Sequence, residues 1–133
     1  MTTLATGRTT PTVSRTRLWF GADAVTTGVN ALAYLGAAGL LADLLGGESG
    51  TFRVLGGFLA VYAVAVGLYA RSGLAPRTGW AIVAGNAVWV LASLEVALTG
   101  VLDLDTAGRV WVVLQALVVA DLALLQARAL RAR

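Results

Sequence analysis

The chain has 133 residues, of which 58% are hydrophobic and 13% charged, against roughly 45–50% and about 25% in ordinary soluble domains. Its net charge of +3 is carried by Arg without any Lys, and the sequence holds no His and no Cys. Thiol chemistry, His or Cys nucleophile systems, thiolate iron–sulfur clusters, conventional zinc sites and His-ligated haem all lose their ligands or catalysts. No nucleotide loop or nucleic-acid motif is visible, so no cofactor and no nucleic-acid partner are expected.

So few charges cannot coat a water-soluble globule of this size. The composition reads as an all-α polytopic membrane protein, a four-transmembrane-helix bundle whose principal partner is the lipid bilayer. The Arg-only cation usage and the Ala, Val, Leu and Gly load point to a high-GC bacterial genome, hence to a bacterial cytoplasmic (inner) membrane.

In chain order, residues 1–17 are Thr-rich and polar, with Arg8, Arg15 and Arg17, and read as a mobile cytoplasmic tail. The transmembrane domain is expected over 18–133. Its first apolar segment, 18–45, is about twice the 7–15 residues of a signal-peptide core, which favours a retained anchor. Segments 52–71, 80–99 and 108–127 each match the roughly 20 residues that cross about 30 Å of hydrocarbon. Pro11 and Pro76 fall outside all four. The separators at 46–50, 72–79 and 100–106 are short and Gly-rich, which leaves no room for an extramembrane domain.

Charge sets the orientation. Arg8, Arg15, Arg17, Arg71, Arg77, Arg128, Arg131 and Arg133 fall on one side of an even-numbered bundle; Asp43, Glu48, Asp103 and Asp105 fall on the other, with Arg53 and Arg109 at the starts of the second and fourth helices. The positive-inside bias then places both termini in the cytoplasm. Trp19, Phe20, Tyr69 and Trp80 are expected as an inner aromatic belt, with Phe52 and Trp111 at the outer interface. A gapless shift of 56 residues superposes Asn30 on Asn86 and Arg53 on Arg109, the trace of two parallel helical-hairpin repeats.

Function is expected where polar groups enter the apolar segments, because an ionisable group at mid-bilayer costs a few kcal/mol and usually faces protein or water. Asp23, Thr27, Asn30 and Tyr34 form one face of the first helix. Asn86 and Ser93, with Trp89, mark a face of the third, and Glu95 lies half a turn away from Asn86. Gln115 and Asp121 fall on the fourth helix, where no cation lies one turn from Asp121. The candidate ligand-binding set is therefore Asn30, Tyr34, Asn86, Trp89, Gln115 and Asp121. Asp121 and Glu95 are the candidate proton-moving groups, Glu95 having the alternative of an ion pair with Arg53 or Arg109. In the second segment Gly56, Ala60, Ala63 and Gly67 form a small-residue stripe suited to close helix packing, with Phe58, Tyr62 and Tyr69 on another face.

The run Arg53-Val54-Leu55-Gly56-Gly57-Phe58-Leu59, together with the four-helix plan, resembles the small bacterial membrane proteins of the DoxX-like kind. Their Arg-then-Gly pattern opens the first helix, whereas here it opens the second. The resemblance covers seven residues and implies a membrane or membrane-accessory protein, with no functional residue carried over. Small multidrug exporters are similar in plan only, since their essential Glu lies in the first helix and Glu95 lies in the third.

Three functional classes follow. One is an intramembrane pocket for a lipophilic or amphipathic molecule, in a transporter or an accessory subunit of a homo-oligomer or larger complex. Another is a cofactor-free acid–base enzyme, such as an isomerase, cyclase or epoxide-opening enzyme. The last is a purely structural subunit.

Overall fold

The computed structural model describes residues 10–133. These form five helices: α1 (Thr10–Gly36), α2 (Ala38–Leu45), α3 (Ser49–Ala70), α4 (Pro76–Thr99) and α5 (Thr106–Arg131). The only extended pairing among the described residues is an isolated bridge between Gly46 and Leu104. Helices α3, α4 and α5 are each long and apolar enough to cross a membrane, and a fourth span results if α1 and α2 count as one.

That first segment departs from the expected single helix over 18–45. It breaks at Ala37 (φ −128°, ψ 30°), and α2 turns away from α1 by 91°. Hydrogen bonds from Ala37 N to Ala33 O and from Leu41 N to Ala37 O continue on both sides of the break. The bend folds α2 across α3 and α5, where Leu45 O accepts from Asp105 N at 2.9 Å. Segment length alone cannot distinguish a long tilted span from a bent one. Residues 10–17 of the expected tail belong to α1; residues 1–9, including Arg8, lie outside the described residues.

The other boundaries follow from local chemistry. Pro76 occupies the first turn of α4, where its missing N–H is not needed. The Asp105 carboxylate caps α5 by accepting from Gly108 N at 2.8 Å, and Arg128 and Arg131 sit in the last turn of that helix, where cations suit the dipole.

Small residues decide how the helices approach. The stripe on α3 lies against α1: an added Cβ at Gly67 would meet Ala24 at 3.7 Å, one at Gly28 would meet Ala63 at 3.8 Å, and one at Gly56 would come within 2.9 Å of Leu35. The long helices form a ring in the order α3, α1, α5, α4, in which neighbours pack closely except α4 and α3, which scarcely touch. The ring thus has one open seam.

Each end of the bundle is tied. At the end carrying the C-terminus, Arg17 Nη1 donates to Ala70 O at 2.6 Å and Arg133 Nη1 to Leu74 O at 2.6 Å. These two guanidiniums hold the α3–α4 turn, in which Leu74 is buried at φ 60°. At the far end Gly108 permits contact with the α2 terminus, since a Cβ there would collide with the Leu45 carbonyl.

Not all the expected belt aromatics are at interfaces. Phe20 and Tyr69 are buried in edge-to-face contact at 4.8 Å, and Phe52 packs inside against Tyr34 at 5.5 Å. They are core residues, because the bundle is narrow enough for rings near its ends to reach the axis. Leu and Val side chains on every long helix, and Phe58 on α3, are exposed instead, leaving an apolar exterior.

Candidate functional site

Two polar assemblies occupy the interior. The first is a knot across the middle of the ring. Asp23 on α1 is buried, and its carboxylate accepts from Thr27 Oγ1 (3.0 Å), Asn86 Nδ2 (2.8 Å) and Gln126 Nε2 (2.8 Å). Asn86 Nδ2 also donates to Gln126 Oε1 at 3.0 Å, and Asn86 Oδ1 lies 2.8 Å from Tyr62 OH, which is also 3.1 Å from Ile82 O. Two side chains from α1 and one from each other long helix thus enter a network in which the carboxylate is met by three donors. A buried carboxylate is tolerable only when so partnered. The knot also joins α1 to α4, which are not otherwise neighbours in the ring.

The second assembly is a cavity of about 320 Å³ beside the knot and behind the α3–α4 seam. Thr27, Asn86 and Tyr62 form its boundary with the knot, Phe58 and Trp89 its walls toward the seam, and Gln115 its α5 side. Phe58 stacks on Trp89 at 6.0 Å and 7°, and on Tyr62 at 6.2 Å and 16°. These near-parallel rings, with the Tyr62–Asn86 bond, are what bridges α3 to α4. No charged side chain lines the cavity.

Within the cavity wall some polar groups are committed and others are not. Gln115 accepts from Trp89 Nε1 at 2.8 Å and donates to Ser93 Oγ and Val112 O, each at 2.8 Å. Tyr34 OH accepts from Trp111 Nε1 at 2.8 Å, and its own proton has no acceptor among the described residues. Asn30, one turn before Tyr34 on the same face, has no side-chain partner among the described residues. Asn30 is half-buried, and it borders both this cavity and the groove between α1 and α5, so its amide is open to a ligand from either.

Five of the sequence-derived candidates therefore meet at one cavity: Asn30, Tyr34, Asn86, Trp89 and Gln115. Asp121 and Glu95 do not. Both are exposed on outward faces of α5 and α4, and among the described residues neither forms an ion pair with Arg53 or Arg109. Helical geometry accounts for this. Asp121 follows Gln115 by six residues, a rotation of about 120° from the buried face, and Glu95 is opposite Asn86. Of the polar groups at a compatible depth, Asn86 is held in the knot, Tyr69 donates to Ala75 O at 2.9 Å, and no hydrogen bond joins Asn30 to Asp121. Gln126, Tyr62 and Phe58 are site residues that the candidate set omits. Gln126 had a usable signal, since it follows Gln115 by eleven residues, three helical turns on the same face.

No protein-family model, curated protein or solved structure matches this chain.

Proposed function

We propose that the chain is a small integral membrane protein that binds a lipophilic or amphipathic molecule in the cavity between its four long helices, as a transporter or as an accessory subunit of a membrane complex. In this reading α1–α2 is the first of four spans, and the two halves are parallel hairpin repeats that present Asn30 and Asn86 to the same cavity. The basic end, with Arg15, Arg17, Arg71, Arg77, Arg128, Arg131 and Arg133, faces the cytoplasm of a bacterial cell. The DoxX-like resemblance fits this plan: the Arg53–Leu59 run begins near the far end of α3 and delivers Phe58 and Leu59 to the cavity wall.

The observation that carries the proposal is the Asn30 amide, unpartnered in an uncharged, aromatic-walled cavity of about 320 Å³. Ligand sites are typically concave, mostly apolar and equipped with few polar groups. The open α3–α4 seam supplies entry from the hydrocarbon phase. Acid–base catalysis is the weaker reading, because Asp121 and Glu95 lie outside the cavity and Asp23 is shielded from it by Thr27 and Asn86.

Association has its own support. Val110, Leu114, Leu117, Asp121, Leu124 and Arg128 are all exposed on α5 and recur at alternating spacings of four and three, the pattern of a helix–helix seam with one central polar residue. A lone carboxylate at that depth in lipid is expensive, and a further transmembrane helix would cover it.

The test is thermal stability of the detergent-purified protein with and without a lipid extract of its host membranes. The expected result is a rise in melting temperature that is abolished by Val119→Trp, a substitution that fills the cavity from the α5 wall, which Val119 lines. An equal response of wild type and Val119→Trp would contradict the proposal.

A further inference from the structure

We infer that the cavity selects a neutral, flat, unsaturated molecule bearing a carbonyl oxygen, and that Asn30 and Tyr34 together hold that oxygen. The inference deepens the ligand-binding reading above and rests on it.

Three features narrow the chemistry. Charge comes first: none of the lining side chains is ionic, and the only carboxylate nearby, Asp23, already accepts three hydrogen bonds behind Thr27 and Asn86. An anionic head would find no cation and would stand close to that carboxylate. A cationic head would have to break the knot to reach it. In a medium of low dielectric either charge would be left uncompensated.

Hydrogen-bond capacity comes next. Asn86 and Gln115 have both amide N–H groups engaged, Thr27 donates to Asp23, and Trp89 donates to Gln115. What remains for a ligand on this face of α1 is the Thr26 hydroxyl, one turn before Asn30, together with the Asn30 amide and the Tyr34 O–H. Asn30 and Tyr34 are themselves one helical turn apart on the same face, so their donors can converge on one acceptor. Trp111, by donating to Tyr34 O at 2.8 Å, takes up acceptor capacity on that oxygen and leaves the hydroxyl to act as a donor. Donors in excess favour an acceptor such as a carbonyl.

Shape comes last. Phe58 is stacked with both Tyr62 and Trp89, so the seam side of the cavity is largely aromatic. An aromatic or conjugated body packs against such rings with a gain beyond its buried area.

The experiment uses the full chain in nanodiscs and a naphthalene series, read by fluorescence titration after subtraction of empty nanodiscs. The neutral ketone 6-propionyl-2-dimethylaminonaphthalene is compared with 2-dimethylaminonaphthalene, which lacks the carbonyl, and with anionic 2-naphthoate. Wild type is expected to bind the ketone about tenfold more tightly than the carbonyl-free compound and to show no saturable binding of naphthoate. Asn30→Leu should weaken the ketone about tenfold and leave the carbonyl-free compound unchanged. Tyr34→Phe should act in the same direction, which keeps the inference testable if either variant folds poorly. Naphthoate binding as tightly as the ketone, or both neutral compounds losing equally in Asn30→Leu, would overturn the selectivity while leaving a ligand site in place. Absence of saturable binding by every member, with Val119→Trp indistinguishable from wild type, would remove the site and the inference together.

Discussion

The Asp23 knot and the Asn30–Tyr34 face lie on the same stripe of α1, yet they treat their polar atoms in opposite ways. In the knot, carboxylate, amides and hydroxyls are closed on one another by bonds of 2.8–3.0 Å. One turn further along α1, Asn30 has no partner among the described residues and Tyr34 retains an unused proton. Both arrangements place polar atoms inside an apolar bundle. The first is explained by folding, since a satisfied network links helices, whereas the half-buried Asn30 amide links nothing among the described residues. On the proposed reading, the difference separates groups that build the scaffold from groups that a ligand engages.

The sharpest way to break this comparison is Asp23→Leu. It strands Asn86, Gln126 and Thr27 donors in the core and should lower unfolding free energy by about 3 kcal/mol, read by circular dichroism melts in detergent. Gln126→Leu removes one arm of the same knot while Asn86 still reaches Asp23; a loss of about 1 kcal/mol is expected in the same assay. Asn30→Leu should change stability by less than about 0.5 kcal/mol, or raise it slightly, while weakening binding of the neutral ketone. A large destabilisation there would mean that Asn30 belongs to the scaffold. Asp121→Leu should have the smallest effect of all on the melt of the isolated chain. Its consequence is expected in the mass of the assembly, measured by light scattering in detergent, if the α5 seam is covered by another helix.

Much of the fold is legible in hydropathy. The expected segments 52–71, 80–99 and 108–127 each lie over the middle of α3, α4 or α5 and differ mainly at the ends, where Pro76, the Asp105 cap and the Arg-bearing last turn of α5 decide the boundary. The bend at Ala37 is not legible, because no proline marks it and the residues around it are uniformly small and apolar. The site is legible where helical phase could be counted from a polar residue, as for Asn30 with Tyr34 and Asn86 with Trp89. It fails where the scarcity of charge outweighs phase. Asp121 attracts attention as an unpaired mid-helix carboxylate, although the Gln115–Gln126 spacing defines the buried face of α5 and leaves Asp121 outside it. Tyr62 and Phe58 escape the candidate set because in sequence their face suits lipid, a partner or a flat apolar ligand equally; their juxtaposition with Asn86 and Trp89 across the α3–α4 seam is what places them at the cavity.

Native mass spectrometry of the protein released directly from its own membranes is the most direct test of whether the cavity is a binding site. Wild type should carry a discrete added mass, of a single lipophilic species, that Val119→Trp lacks and Asp121→Leu retains. Identical spectra for wild type and Val119→Trp, each free of any such adduct, would contradict the account.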